Sequence, residues 1–246
     1  MTLSKGYERA AHLYDLFDTK QNVGFFFHYA SQVREILDIG AGTGRIAIPL
    51  AEKGVRIFCV EPSSAMRREF LKKLEHRRDL VGNITLLAVD ARSFHVDRTF
   101  PAAFLSGSFD HFLDDRERLS SLFNIARHLQ PNGTLVFDVF LGLMKDAPLS
   151  PSGSVQHGNR QYRRFVGGRL LPDKTRETIL IFETYQAGEL LERIEERSLV
   201  GIVDREGVHR LLREAHFIVA REFSNYDFTP FRAGDSLLIV EAIKKG

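Results

Sequence analysis

One cysteine, Cys59, is all that the chain contains, so no internal disulfide can form and a reducing compartment is the natural setting. Cys59 lies inside an apolar run and reads as a small core residue. Long hydrophobic runs are missing too: no window approaches the roughly 18 apolar residues needed to span a bilayer. The first residues also lack a basic region followed by an apolar stretch. A soluble, cytoplasmic protein without a membrane partner is expected. Nor is there an excess of one charge: Lys and Arg number 34 against 32 Asp and Glu, which leaves no global field to favour nucleic acid or an anionic membrane. At 246 residues the chain can bury one large core, and its composition demands no second full domain.

What is present begins with the run Glu35-Ile36-Leu37-Asp38-Ile39-Gly40-Ala41-Gly42-Thr43-Gly44-Arg45. Residues 33–39 have the apolar, β-branched character of a buried parallel strand, and the three glycines mark a tight turn where backbone passes close to a ligand. Thr43 can cap a helix running through Leu50, which Pro49 should kink. A second apolar run, residues 55–60, ends at Glu61, a carboxylate placed to accept two hydroxyl hydrogen bonds from a ribose. The pattern is Gly40-x-Gly42-x-Gly44, and Arg45 stands where dinucleotide binders need their third glycine for close helix packing. Pyrophosphate binding is therefore disfavoured. Asp38, two positions before the first glycine, suits a ligand carrying an ammonium or sulfonium better than one carrying two phosphates.

Beyond this motif, strand and helix patterns alternate, which predicts a doubly wound, mostly parallel sheet. Residues 84–89 form a third strand pattern ending at Asp90, residues 102–105 a fourth ending near Ser106 and Gly107, and residues 134–140 a fifth. Ser63 or Ser64, Asp114 or Asp115, and Asp204 are placed to cap helices. Residues 141–159 hold Gly, Pro, Ser and His with little periodicity and read as a mobile connection. From 161 to 200 the segments favour extended structure and read as an antiparallel insertion. Its arginines precede its glutamates, which fits complementary pairs on neighbouring strands or a basic binding surface. Residues 217–223 and 236–243 make two closing strands.

The glycine motif, Glu61-Pro62-Ser63-Ser64-Ala65-Met66, Val89-Asp90-Ala91, the Leu129-Gln130-Pro131-Asn132-Gly133 turn and the closing strand pair together resemble class I S-adenosylmethionine-dependent methyltransferases, in their small-molecule branch. Glu61 stands for the commoner aspartate and Asn132 for a turn glycine, which asparagine tolerates. The resemblance implies an α/β fold with a seven-stranded, mostly parallel, Rossmann-like sheet and an antiparallel β insertion after strand 5. It divides the chain into an N-terminal helical cap (1–32), a cofactor-binding core (33–140), a loop and antiparallel insertion serving as lid and substrate region (141–200), and a C-terminal helix with a closing hairpin (201–246).

The implied activity is in-line transfer of a methyl group from S-adenosylmethionine to an oxygen, nitrogen or carboxyl nucleophile of a small molecule, leaving S-adenosylhomocysteine. By the same resemblance Gly40, Ala41 and Gly42 approach the cofactor, Glu61 holds the ribose beside Pro62, Met66 lies against the adenine, Asp90 accepts from its amine with the Ala91 amide near the ring, and Ser106 and Gly107 face the methionine part near Asp38. Met66 is equally readable as helix core and Asp90 as a turn residue. His111, after the fourth strand, is the candidate base, with a helix-capping role as its alternative. Tyr14 is a candidate cover for the cofactor or a packing residue. Asp138 is placed to bind a cationic group, but one carboxylate without His or acidic partners makes no metal site, and no metal is expected.

Nucleic acid is not an expected partner. Base-amino methyltransferases carry Asn or Asp followed by Pro-Pro and an aromatic at the fourth strand end, where Ser106-Gly107-Ser108-Phe109 stands here. Ring-carbon methylation through a covalent adduct needs an exposed thiolate, and Cys59 lies in the wrong strand. A non-catalytic protein of the same fold whose insertion binds a partner, and an NAD(P)-dependent enzyme, are the two competing readings. The sequence leaves the oligomeric state open.

Overall fold

The computed structural model describes residues 7–17 and 21–246, so parts of the expected N-terminal cap, residues 1–6 and 18–20, lie outside the described residues. Seven strands form the main sheet: β1 (Glu35–Ile39), β2 (Arg56–Val60), β3 (Ile84–Leu87), β4 (Phe100–Leu105), β5 (Leu129–Val139), β10 (Phe217–Phe223) and β11 (Leu238–Lys244). Their order is β10-β11-β5-β4-β1-β2-β3. β1 to β5 pair in parallel, whereas β11 runs antiparallel between β5 and β10. This is the closing pair that the last two apolar runs predict.

Because the sheet is covered on both faces, its central strands carry unbroken apolar sequence. Leu37, Leu105 and Phe137 pack toward α4 (Asp115–Arg127) and α5 (Arg205–Glu214) through Leu122, Ile125 and Leu211. Ile36, Cys59, Phe104 and Val136 face the opposite layer, built by α1 (Gln21–Ala30), α2 (Ala47–Ala51) and α3 (Ser64–Glu75). Ser63, Asp114 and Asp204 cap α3, α4 and α5 by accepting from backbone N–H groups three residues on. Each such cap contributes about 1 kcal/mol. Chain direction across the sheet reverses between β1 and β4, and the crevice outside their carboxyl ends is where α/β sheets hold ligands.

Two local expectations at the first helix are corrected. Thr43 caps nothing: α2 starts at Ala47, its N-cap position is held by Ile46 without a side-chain bond, and the Thr43 hydroxyl donates to Asp15 at 2.7 Å. The turns through Gly42 and Gly44, both at positive φ, take up the segment that would have been the first helical turn. Pro49 consequently sits in the first turn of a five-residue helix, where proline is tolerated, rather than in the interior of a longer one.

After β5 come four antiparallel strands, β6 (Ala147–His157), β7 (Arg160–Leu170), β8 (Thr175–Gln186) and β9 (Glu189–Gly201), ordered as they occur. The expected mobile connection over 141–159 is thus corrected: most of it is the edge strand β6. All but one of its residues are exposed, so no apolar alternation betrays it, and Pro151 is tolerated there because an edge strand bonds on one side. The segregated charges face each other across the ladder, with Arg163 opposite Glu183 and Arg169 opposite Glu177, whose side chains pair at 2.9 Å.

Gly44 rather than the position of Arg45 carries the close helix contact. Its φ is +80°, and a Cβ there would stand 2.5 Å from the ring of Phe70 on α3. Gly44→Ala should therefore lower stability by about 2–4 kcal/mol, combining left-handed strain with overpacking. Urea unfolding checks this: the midpoint should fall while the slope stays that of the parent.

Candidate functional site

A cavity of about 560 Å³ opens at the carboxyl ends of β1, β2, β3 and β4. It brings together Asp38, Gly40, Ala41, Gly42, Glu61, Pro62, Met66, Asp90, Ala91, Ser106, Gly107, Tyr14 and His111, but not Asp138. Tyr7, Glu8, Arg45, Arg92, Glu117 and Leu199 also line it, and none of these was anticipated there.

The glycine loop is held from both sides. Gly40 and Ala41 donate backbone N–H groups to the Val60 carbonyl, and Gly42 donates to Glu61 Oε2 at 2.7 Å. Glu61 Oε1 accepts from Ser63 N at 2.7 Å, so the strand-2 carboxylate bridges the loop and the start of α3. It is buried, which raises its pKa, and the two backbone bonds hold that rise in check. Gly40 is required by proximity, since a Cβ there would stand 2.2 Å from the Ser108 hydroxyl.

Asp38, the penultimate residue of β1, is enclosed. Its Oδ2 has no hydrogen-bond partner, and burial pushes its pKa up to about 7 despite the nearby Arg45. Arg45 donates to Asn22 Oδ1 at 2.6 Å and to Ser106 Oγ at 3.4 Å, which fixes its guanidinium on the cavity wall. On the far side, Asp90 is engaged by its neighbour: Arg92 donates to it from the backbone and from both Nε and Nη2, then reaches Glu117. Glu117 accepts in turn from Leu113 N at 2.9 Å. Met66 is 8% exposed and packs with Ala11, Ala65 and the two tyrosines, so it belongs to both the helix core and the cavity wall.

Asp138 does not stand ready for a cationic ligand. Its carboxylate accepts from Gly107 N at 2.6 Å, Ser106 Oγ at 3.1 Å and Tyr226 Oη at 2.8 Å, which ties β4, β5 and the closing hairpin together. Tyr226 lies far along the chain, and no local signal links it to Asp138. His111 stands open to the cavity on a short 3₁₀ turn, and the protein mass around it depresses its pKa below the ordinary value. It caps no helix, since Asp114 does that for α4. Tyr14 meets Tyr7 edge to face at 4.6 Å. Among the described residues no group of three or more His, Cys, Asp or Glu side chains is arranged to hold a metal ion, and no helix is long and apolar enough to cross a membrane.

A family profile described as a methyltransferase domain matches residues 36–133. The cypemycin N-terminal methyltransferase of a Streptomyces species is 35% identical over 106 residues, 43% of this chain and 41% of that protein. The chain thus spans about two fifths of that relative's length. Among solved structures, the CcbJ methyltransferase of Streptomyces caelestis superposes with a TM-score of 0.82 at 16% identity, covering 99% of both chains. The sugar N-methyltransferase KedS8 of a Streptoalloteichus species gives 0.73 at 20% identity over 95% of this chain and 93% of that one. At these identities the structures establish the shared fold.

The buried acids give the ligand-free protein a defined pH response. Asp38 and Asp110 both titrate near 7 in the folded state, Asp110 also through burial, against about 3.9 for an unfolded aspartate. The folded state thus holds protons that the unfolded state releases, so stability is fullest at low pH and is lost as pH rises from about 4 toward 7. The unfolding free energy should fall between about pH 4 and 7, by on the order of several kcal/mol, and Asp38→Asn should flatten the slope. A pH-independent midpoint in the parent would contradict the burial of these charges.

Proposed function

From residues 36–133, a methyltransferase domain of the class I, S-adenosylmethionine-dependent family, we propose that the whole chain transfers a methyl group to an amine nitrogen of a small molecule. The observation that carries the cofactor reading is the buried Asp38 Oδ2, without a partner inside a cavity whose wall also presents Arg45. A buried carboxylate oxygen left unpaired is costly. The zwitterionic end of the cofactor offers an ammonium for Asp38 and a carboxylate for Arg45. Glu61 faces the same cavity to take ribose hydroxyls, and Met66 and Ala91 supply apolar surface for the adenine.

When bound, S-adenosylmethionine supplies a methyl group whose bond to sulfur breaks as the bond to the acceptor forms, leaving S-adenosylhomocysteine. The protein's part is to orient and to exclude water. Burial lowers the His111 pKa and so favours the neutral ring, whose free nitrogen is open to the cavity to take up the proton that an ammonium must lose before its lone pair attacks. Tyr14 and Glu8, on the cavity wall, are placed to hold the acceptor's polar hydrogens. An amine is favoured over other nucleophiles because a cypemycin N-terminal methyltransferase and a sugar N-methyltransferase are among the similar proteins. Residues 141–200 act with the N-terminal segment as the substrate-enclosing region.

Calorimetry tests the cofactor. S-adenosylhomocysteine should bind and NAD should not, and Glu61→Ala should weaken binding by about 1.5–3 kcal/mol without unfolding the protein, since charge-assisted bonds to a ribose are poorly replaced by water. Tight NAD binding with no response to S-adenosylhomocysteine would overturn the reading. For the acceptor, His111→Ala should lower single-turnover methylation of a responsive amine by about 100-fold while cofactor affinity and melting temperature stay near the parent's. Full activity in that variant would remove the base role.

A further inference from the structure

Glu196 lies on β9 of the antiparallel sheet and is 4% exposed. Its carboxylate accepts three successive backbone N–H groups of the N-terminal segment: Glu8 at 3.1 Å, Arg9 at 2.5 Å and Ala10 at 2.7 Å. Consecutive amides converging on one carboxylate fix backbone direction as firmly as a helix cap, with the strength of charge-assisted bonds. Beside this contact Ala10 and Leu13 pack on Leu180, Phe182 and Ile194, so residues 7–17 ride on the insertion sheet.

The same segment has a second anchor of different character. Asp15 accepts from the Thr43 hydroxyl of the glycine loop and pairs with Lys73 of α3, which also donates to the Thr43 carbonyl at 2.8 Å. Both members of this ion pair are about one third exposed, whereas Glu196 is enclosed. Tyr7 and Glu8 at the first anchor and Tyr14 beside the second line the cavity.

We propose that residues 7–17 form a strap over the cavity, in which Glu196 is the positioning residue that presents Tyr7, Glu8 and Tyr14, and Asp15 is the latch that lets go when ligand is exchanged. The enclosed, charge-assisted anchor keeps the strap's shape on the insertion sheet. The partly exposed anchor to the glycine loop is the weaker one, because solvent competes for its partners. Insertion and strap then open as one body, hinged away from the cofactor loop.

The ligand kinetics rest on the cofactor reading above, so S-adenosylhomocysteine is the probe and the parent protein's binding is the control. Asp15→Asn should speed its dissociation by about 5–10-fold, and added salt should speed dissociation from the parent but not from the variant. Independently of any ligand, Glu196→Gln should raise amide exchange at residues 8–10 by about 10-fold while β1 and β4 keep their protection. Should Glu196→Gln fail to fold, the Asp15→Asn kinetics decide alone. Parental dissociation rates in Asp15→Asn would overturn the latch, and unchanged protection at 8–10 in a folded Glu196→Gln would overturn the positioning role. Failure of the parent to bind S-adenosylhomocysteine would instead count against the cofactor reading and leaves the exchange experiment to decide the strap.

Discussion

The carboxylate of Glu61 fixes the geometry on which the cavity depends. Taken out of water at the end of β2, it bonds the amide of Gly42 on one side and that of Ser63 on the other. Without it the start of the glycine loop would rely on the Val60 carbonyl and on side chains that reach Gly40 and Thr43 from Ser108, Asp15 and Lys73. The device recurs around the cavity. Asp138 on β5 accepts from Gly107 in the loop after β4, Asp110 accepts from Phe140 after β5, and Glu196 on β9 accepts from the N-terminal strap. Loops at strand ends have few backbone partners of their own, and a buried acceptor from a neighbouring element supplies them.

This explains which parts of the site were legible in the sequence. The glycine loop, Glu61 and Asp90 are close in the chain, and turn chemistry plus strand periodicity fix their spacing. The caps at Ser63, Asp114 and Asp204 were likewise local. By contrast, Glu196 meets Ala10 across 186 residues and Tyr226 meets Asp138 across 88. Composition and period carry no trace of such pairs, so Asp138 looked available when it was already committed.

Strand β6 was missed for a different reason. Alternation is visible only where one face of a strand is buried, and β6 is an edge strand exposed on almost every residue. Thr43 was misread because Ser or Thr ahead of an apolar run is the usual helix-start signal, while here two glycines at positive φ delay the helix by a full turn. Arg45 was noticed only for excluding a glycine, and its place on the cavity wall beside Asn22 and Ser106 depends on α1 and β4 arriving from elsewhere.

The distribution of charge around the cavity has a consequence for selectivity. Asp38, Glu61, Asp90, Glu117 and Glu8 line it against two arginines, Arg45 and Arg92. Arg92 is spent on Asp90 and Glu117, and of the two Arg45 alone stands against the buried Asp38 and Glu61. Polyphosphate entering there would meet buried carboxylates that already resist ionisation, and each added negative charge would raise that cost. A cation entering the same place relieves it, because the ligand's charge favours the ionised forms that burial opposes. The acids are thus least comfortable when the cavity holds only water, and a positively charged ligand is the chemistry that stabilises them.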